Sequence, residues 1–120
     1  MTLLLVIAAG AAGVAARYGL SSLFHASALP WVTVAINLFG SFMLGALIVL
    51  PSEWLNQEAR LALGVGLLGG FTTFSTFSVQ ALLDFEAGEP SRALIYIAAS
   101  VLGGLAAAAC GYYGARWLTA

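Results

Sequence analysis

Charged side chains are scarce in this chain. Its 120 residues include four arginines, no lysine, five carboxylates and one histidine, so that 8% of residues are charged while 62% are hydrophobic. A water-soluble domain of this size needs far more charge to cover its surface. The net charge of −1 provides no basic patch for nucleic acid and no polybasic anchor for anionic lipid. The composition therefore indicates a protein whose surface faces lipid.

The chain has one cysteine, and its N-terminus lacks the features of a clear signal peptide. Cys110 is the single cysteine, so the fold cannot depend on an internal disulfide, and we expect its thiol to be buried as a small hydrophobic group. The first apolar run begins at Leu3 without a cationic segment before it. Residues 10–16 offer a cleavage site of small residues, but the run continues past Arg17 to Phe24. A retained first membrane helix fits this pattern better than a cleaved signal peptide.

Four apolar stretches are long enough to cross a bilayer, which takes about 20 residues. They cover residues 3–24, 31–50, 61–83 and 93–118, and short connections between them hold the turn residues and most of the charge. Amphipathic aromatic rings, which prefer the membrane interface, fall near the ends of the stretches. These are Trp31, Trp54, Tyr112, Tyr113 and Trp117. The sequence predicts an all-α membrane protein, a single domain over residues 1–120 with four transmembrane helices.

Carboxylates, lysine and histidine are absent from the interior of all four stretches. Proton-coupled and cation-conducting proteins usually place carboxylates at this depth. The polar groups that remain are hydroxyls and an amide, whose hydrogen-bond donors suit an anion. Arg17 lies in the first stretch, toward its end, where it either attracts anions to a vestibule or extends to the lipid headgroups. From the residues alone, we expect a small-anion channel.

The third stretch contains a glycine- and hydroxyl-rich segment, GGFTTFSTF, at residues 69–77. A lipid-facing helix has no use for four hydroxyls and two adjacent glycines at its centre. Non-helical backbone at bilayer depth is tolerated only against protein, ions or water, and broken helices mark ion and substrate sites. We therefore predict that the third helix is broken in this segment and that the segment is the functional centre.

Polar side chains at helical spacing predict polar tracks through the bundle, because residues four apart share one helix face. The candidates are Thr33, Asn37 and Ser41 on the second stretch, Thr72, Thr73, Ser75 and Thr76 on the third, and Tyr96 and Ser100 on the fourth. A lone hydroxyl can instead bond back to its own helix, whereas the amide of Asn37 needs several partners. Phe74 and Phe77 add ring edges, the positive part of the aromatic quadrupole, or else pack in the core.

The distribution of arginines favours no single orientation in the membrane. If the N-terminus is cytoplasmic, Arg60 and Arg116 are inside while Arg17 and Arg92 are outside. Because positive charge normally marks the inner side, a balance of two against two lets the chain insert both ways. Such a chain can form an antiparallel homodimer. Small-residue pairs, Gly66 with Gly70 and Ser41 with Gly45, predict close helix contacts.

Enzyme function finds no support in the sequence. Residues 64–69 match the dinucleotide-binding pattern G-x-G-x-x-G, with Asp84 about 20 residues beyond, but four membrane helices leave no room for the βαβ unit that this motif requires. His25 is alone in a connection, without a metal-ligand cluster or a catalytic partner at recognisable spacing. We therefore expect a protein that is not an enzyme.

At these residues the chain resembles the Fluc family of fluoride channels, the bacterial CrcB-type proteins. The resemblance covers nearly the whole chain, through Gly13-x-x-x-Arg17-Tyr18, Asn37-x-x-Gly40-Ser41 and above all the segment 69–77. It implies a passive fluoride channel in the bacterial inner membrane that exports fluoride from the cytoplasm. It further implies an antiparallel, dual-topology homodimer with two pores.

The resemblance also assigns expected roles to individual residues. It implies a structural Na⁺ at the dimer centre, held by the backbone carbonyls of Gly69 and Thr72. It places the pore-lining phenylalanines at Phe74 and Phe77, the pore asparagine at Asn37, and the polar residues of the fourth span at Tyr96 and Ser100. The polar tracks and the first stretch add Thr33, Ser41, Ser75, Thr76 and Arg17 as further expected anion-binding positions. The chain departs from the family pattern at Gly104, where a serine is often found, so the far end of the polar track stays open.

Two other functions compete with this interpretation. Small multidrug transporters are also dual-topology dimers with four spans, but they need a membrane-embedded glutamate in the first span, and this chain has none there. A non-transporting scaffold subunit of a membrane assembly would leave the polar tracks and the unusual third stretch without a purpose.

Overall fold

Short connections divide the chain into antiparallel helices. The computed structural model describes the backbone of residues 1–120 and every side chain except that of Leu29. The helices are α1 (Thr2–Ser22), α2 (Leu29–Val49), α3 (Gln57–Leu61), α4 (Gly69–Phe71), α5 (Phe74–Glu86) and α6 (Pro90–Leu118). A π-helical segment covers Ala62–Leu68, and a 3-10 turn covers Ala26–Ala28. By length and composition, α1, α2, the range Gln57–Glu86 and α6 can each cross a membrane, which confirms four spanning helices in an all-α fold.

The connection between α2 and α3 is held by two polar side chains. Asn56 caps α3 because its side-chain oxygen accepts a hydrogen bond from the backbone N–H of Ala59 at 2.9 Å. The guanidinium of Arg60 donates to the carbonyl oxygens of Leu47, at 2.8 Å, and of Leu50. Carbonyls in the last turn of a helix lack regular helical donors, so a cation there supplies further hydrogen bonds and complements the helix dipole. Arg60 thereby joins the third span to the second.

The turn between α5 and α6 depends on a glycine. Gly88 has φ of +77°, a left-handed conformation that side chains rarely adopt. Pro90 occupies the first turn of α6, where its missing N–H costs no helical hydrogen bond. Arg92 approaches Asp84 at 3.6 Å across the turn. These features bring α5 and α6 together as antiparallel neighbours.

The helix α2 packs most extensively against α6, and glycines make that contact close. A side chain at Gly45 would collide with the backbone of Ala108, and one at Gly111 with the backbone of Phe42. Lipid provides no hydrophobic drive for helix association, so small residues at the contact are what allow tight packing. Of the small-residue pair predicted at Ser41 and Gly45, Gly45 therefore packs closely against α6.

The helix α1 packs against the first half of the third span. A side chain at Gly13 would collide with the carbonyl of Leu67, and one at Gly70 with the carbonyl of Gly10. Gly66 lies against the same helix, near the carbonyl of Val6. The predicted contact through Gly66 and Gly70 is therefore confirmed, and its partner is α1.

Most large apolar side chains point away from the bundle. Those at least two-thirds exposed include Leu3, Leu23, Phe74, Leu105, Trp117 and Leu118. The small buried cluster of Val34, Phe77, Ala81 and Tyr96 lies between α2, α5 and α6. An apolar exterior around so small a core is what a lipid-embedded bundle requires. The expectation that Cys110 is buried is wrong: its side chain lies on the exposed side of α6.

Candidate functional site

Two residues in the third span have extended backbone between helical neighbours. The helix α4 ends at Phe71, and Thr72 has φ −84° and ψ 160°. Thr73 has φ −152° and ψ 124°, and α5 begins at Phe74. Because both φ angles are negative, any residue adopts this conformation without backbone strain. Hydrogen bonds from other helices must therefore hold the extended dipeptide Thr72–Thr73 in place.

Asn37 on α2 pairs with the backbone of Thr73. Its side-chain Nδ2 donates to the Thr73 carbonyl at 2.9 Å, and its Oδ1 accepts from the Thr73 N–H at 2.8 Å. The amide thus acts as a second peptide group beside the extended chain. An amide nitrogen carries two hydrogens, so one donor of Asn37 is still available after this pairing.

The dipeptide is also fitted against α2 and capped by its own side chains. Gly40 lies against the methyl group of Thr72, where a larger side chain would collide. The hydroxyl of Thr72 bonds back to the carbonyl of Leu68 at 2.9 Å, the alternative expected for a lone threonine in a helix. Thr73 is the N-cap of α5, because its hydroxyl accepts from the Thr76 N–H at 3.4 Å. These contacts fix the dipeptide from two sides.

The same hydrogen bonds release two backbone carbonyls. In a continuous helix, the Thr73 N–H would donate to the Gly69 carbonyl and the Thr76 N–H to the Thr72 carbonyl. Here these two N–H groups donate to the side chains of Asn37 and Thr73 instead. The carbonyls of Gly69 and Thr72 therefore lose their usual donors at bilayer depth, where an unpaired polar group is costly. They are the pair that the family resemblance assigns to a cation.

On the opposite side, Arg17 of α1 reaches the same region. Its Nε donates to the Gly70 carbonyl at 3.2 Å, and its side chain is half-buried. The sequence left two roles open for Arg17, an anion vestibule or the lipid headgroups, and this contact with the third span is a further one. Among the described side chains, no group of three or more histidines, cysteines and carboxylates is placed to hold a metal.

A cavity of about 320 Å³ opens beside the extended dipeptide. Its polar and aromatic lining comes from α2, α6 and the third span, and consists of Asn37, Ser41, Thr72, Thr73, Phe74, Phe77 and Ser100. The Ser100 hydroxyl is buried and has no hydrogen-bond partner among the described atoms. A buried polar atom without a partner is unusual in proteins, and Ser100 lines the cavity, so its hydroxyl is a candidate donor to a solute there.

The two phenylalanines that line this first cavity differ greatly in exposure. Phe74 is 78% exposed in the single chain, whereas Phe77 is 8% exposed. Their ring centroids lie 5.6 Å apart with planes inclined at 63°, and Phe77 also packs on Tyr96 at 5.3 Å. Phe77 is thus part of the core as well as the cavity wall, while Phe74 projects from the chain.

A second cavity, also of about 320 Å³, lies on the α1 side of the third span. It is lined by Val14, Arg17, Tyr18, Ser21, Thr33, Thr76 and Gln80. The hydroxyl of Thr73 donates to that of Thr76 at 3.2 Å. Because Thr73 lines the first cavity and Thr76 the second, this hydroxyl pair forms a polar connection between them.

Two of the expected pore residues lie outside the described linings of both cavities. Tyr96 is 1% exposed, with its hydroxyl donating to the Gln80 side-chain oxygen at 2.7 Å and its ring edge-to-face with Trp31. Ser75 is exposed on α5. Sequence reasoning missed Gln80, although an amide one helical turn after Thr76 in an apolar stretch is a recognisable signal.

Gly104 lies beside Ser41, which lines the first cavity. A side chain added at Gly104 would find the Ser41 hydroxyl 3.8 Å from its first carbon, with no other atom within 4 Å among the described residues. The glycine therefore leaves space beside Ser41, and α6 contributes Ser100 as its cavity-lining hydroxyl one turn earlier.

Comparison with known proteins gives a consistent result. The sequence model of the CrcB-like protein, Camphor Resistance (CrcB) family matches residues 4–112. A protein of Thermus thermophilus named fluoride-specific ion channel FluC is 45% identical over 113 residues, which cover 91% of this chain and 90% of that protein. The protein of the same name in Geobacter sulfurreducens is 42% identical over 124 residues, which cover 98% of this chain and 100% of that protein.

Proposed function

The chain belongs to the CrcB-like family, and from this membership and its polar cavities we propose that it is a fluoride-specific ion channel. It is a multi-pass protein of the bacterial inner membrane and carries fluoride passively out of the cytoplasm. Hydrogen fluoride, a weak acid, crosses membranes uncharged and dissociates inside the cell, so an exit route for the ion protects the cytoplasm. This is a channel function and involves no enzymatic chemistry.

The observation that carries the proposal is the donor-lined first cavity. The Ser100 hydroxyl is without a partner among the described atoms, and Asn37 retains one amide hydrogen beyond its pairing with Thr73. Fluoride is small and strongly hydrated, so a path must replace its lost water with closely placed donors. A carboxylate in the wall would repel the ion, and the described lining holds none. Donors without negative charge suit an anion.

The aromatic rings add a weaker anion contact. Phe74 and Phe77 both line the first cavity, and their rings pack against each other in an inclined, edge-to-face arrangement. The edge of a benzene ring carries the positive part of its quadrupole. We assign these edges to the anion path, where they accompany the ion without binding it strongly enough to stop its exit.

The channel is an antiparallel, dual-topology homodimer in this proposal. Phe74 lines a cavity and yet is 78% exposed in the single chain, which supports a second copy as the partner that completes the wall. The balanced arginines Arg17, Arg60, Arg92 and Arg116 permit insertion in both orientations. A two-fold axis in the membrane plane would then generate two equivalent pores.

A structural Na⁺ belongs to the same proposal. The carbonyls of Gly69 and Thr72 fit this ion, because both have lost their usual helical donors and neither carries charge. Two copies of the chain would contribute both pairs of carbonyls. When bound, the ion supplies the positive charge that these oxygens lack and links the copies. A divalent ion is disfavoured, since it prefers carboxylates and the described residues offer none at this position.

Fluoride efflux from liposomes tests the proposal. Vesicles holding the purified protein and a fluoride salt should release fluoride down its gradient when an ionophore balances the charge, and protein-free vesicles should not. Chloride-loaded vesicles should release far less. A requirement for an imposed proton gradient would favour an antiporter, equal chloride flux would remove the selectivity, and no flux of either ion would favour the scaffold role.

A further inference from the structure

The contact between Arg17 and Gly70 gives this arginine a role beyond anion attraction. We propose that Arg17 is a positioning residue that decides which backbone carbonyls of the third span are free to bind the cation. The inference rests on the proposed function, because it concerns the cation site assigned there. Its basis is the hydrogen bond from Arg17 Nε to the Gly70 carbonyl at 3.2 Å.

The face of α1 that holds the third span ends at Arg17. Gly10, Gly13 and Arg17 follow at spacings of three and four residues, so they share one face of the helix. The two glycines let the α1 backbone lie directly against Gly70 and Leu67. One turn later, the half-buried Arg17 side chain reaches back to the Gly70 carbonyl. The contact is therefore built into the helix packing and is not a chance surface pairing.

The carbonyl of Gly70 would otherwise compete for the cation. Its helical donor would be the Phe74 N–H, but Thr72 and Thr73 are extended between the two residues. Gly70 thus joins Gly69 and Thr72 as a residue whose carbonyl is deprived of its regular partner. Arg17 donates a hydrogen bond to the Gly70 carbonyl, so the carbonyls of Gly69 and Thr72 remain for the cation. In this way the guanidinium fixes the set of oxygens that face an ion.

Two helices consequently hold the third span on either side of the proposed site. Arg17 of α1 holds Gly70 before the extended dipeptide, and Asn37 of α2 holds Thr73 within it. The Gly69 and Thr72 carbonyls depend on both anchors for their relative position. Arg17 also lines the second cavity, so its remaining N–H groups have a separate place to act on the anion. The two roles of Arg17 involve different atoms and can be separated.

Substitution of Arg17 by glutamine or by lysine distinguishes a positioning role of its Nε from a role of its positive charge. The side-chain nitrogen of glutamine occupies the place of arginine Nε along the chain, so Arg17→Gln keeps the donor and removes the charge. Arg17→Lys keeps the charge but has a carbon at that place, and its ammonium lacks the planar fork of a guanidinium. If Arg17 acts by positioning the Gly70 carbonyl, Arg17→Gln should behave like the wild type. If it acts through its positive charge, Arg17→Lys should do so instead.

The experiment measures the Na⁺ dependence of the purified full-length dimer in detergent. The thermal midpoint and the dimer fraction on gel filtration are followed while Na⁺ is replaced by N-methylglucamine at constant ionic strength. We expect Arg17→Lys to raise the half-saturating Na⁺ concentration by about tenfold, as the loss of one hydrogen bond would do. Arg17→Gln should stay within about threefold of the wild type, and Arg92→Gln, whose arginine pairs with Asp84, is the matched control.

Each outcome bears on the inference. If Arg17→Lys responds to Na⁺ like the wild type and Arg17→Gln responds more weakly, the charge of Arg17 matters and the positioning role is wrong. Equal responses of the two variants would also overturn the positioning role. Failure of Arg17→Gln to form any dimer at saturating Na⁺ contradicts it too, since the donor is retained. If the wild type shows no Na⁺ dependence, the cation site itself is wrong and the inference falls with it, while fluoride efflux separately decides the channel function.

Discussion

Asn37 and Thr73 are paired through hydrogen bonds in both directions, although they lie 36 positions apart in the chain. The Asn37 Nδ2 donates to the Thr73 carbonyl at 2.9 Å, and the Asn37 Oδ1 accepts from the Thr73 N–H at 2.8 Å. The side-chain amide therefore bonds to the extended backbone as the peptide group of a neighbouring strand would. The pairing gives Asn37 a structural duty that precedes any contact with an anion. It joins α2 to the extended dipeptide and diverts the Thr73 N–H from the Gly69 carbonyl.

Replacement of Asn37 by aspartate should therefore abolish fluoride flux. The carboxylate still accepts from the Thr73 N–H, but it cannot donate to the Thr73 carbonyl and places negative charge in the cavity. An unsatisfied buried group costs about 1–3 kcal/mol, so the thermal midpoint in detergent should fall as well. Asn37→Ser should retain more flux than Asn37→Asp, because a donor survives without added charge.

The matched control for this substitution is Asn56→Asp. Asn56 caps α3 by accepting from the Ala59 N–H at 2.9 Å, and an aspartate accepts equally well. Flux and midpoint should remain near those of the wild type. Wild-type flux in Asn37→Asp would contradict the role assigned to Asn37.

The difference in exposure between Phe74 and Phe77 predicts different effects of isoleucine. Phe74→Ile should cut fluoride flux at least tenfold, because the ring lines the proposed anion path, and it should destabilise the fold of the chain less than Phe77→Ile, because the Phe74 ring is 78% exposed in the single chain. Phe77→Ile should reduce flux and also destabilise the fold by about 1–3 kcal/mol, because Phe77 belongs to the buried cluster. Phe85→Ile, on the same helix but outside the described cavity linings, is the control. Near-normal flux in Phe74→Ile would remove this ring from the anion path.

The tight contact between α2 and α6 predicts a large effect of one methyl group. Gly111→Ala should destabilise the chain by about 1–3 kcal/mol, because its new carbon would collide with the backbone of Phe42 and the helices would have to separate. Gly114→Ala, one turn later on α6, has no atom within 4 Å of the added carbon among the described residues and should be tolerated. Thermal unfolding in detergent measures both. Equal midpoints for the two variants would mean that α2 and α6 are less closely packed than the structure shows.

Insertion bias tests the antiparallel dimer. Arginines at the exposed positions Ser52 and Glu53 should force one orientation, and arginines at Ala87 and Glu89, in the connection at the opposite membrane face, should force the other. Each double variant expressed alone should lose most of its fluoride flux, since all its copies are parallel. Coexpression of the two should restore flux. Full activity from either variant alone would exclude an antiparallel assembly.

The sequence determined the fold class, and it predicted where the functional centre lies. Four apolar stretches of membrane-spanning length require four helices, because backbone groups in lipid must be satisfied within each segment. The segment 69–77 was recognisable because glycines and hydroxyls have no role in a lipid-facing helix. Several residues of the polar tracks, among them Asn37, Ser41 and Ser100, do line one cavity. Periodicity was sufficient for these because they lie on single helix faces.

Only the tertiary structure decided which groups the polar residues touch. The bonds from Asn37 to Thr73 and from Arg17 to Gly70 join residues 36 and 53 positions apart, and they depend on how closely the helices approach. Glycine contacts set those distances, and no pattern within one helix reports them. The same holds for Tyr96, whose hydroxyl faces Gln80 instead of the first cavity. Helix periodicity fixes the face on which a side chain lies, whereas the partner on that face is fixed by packing between helices.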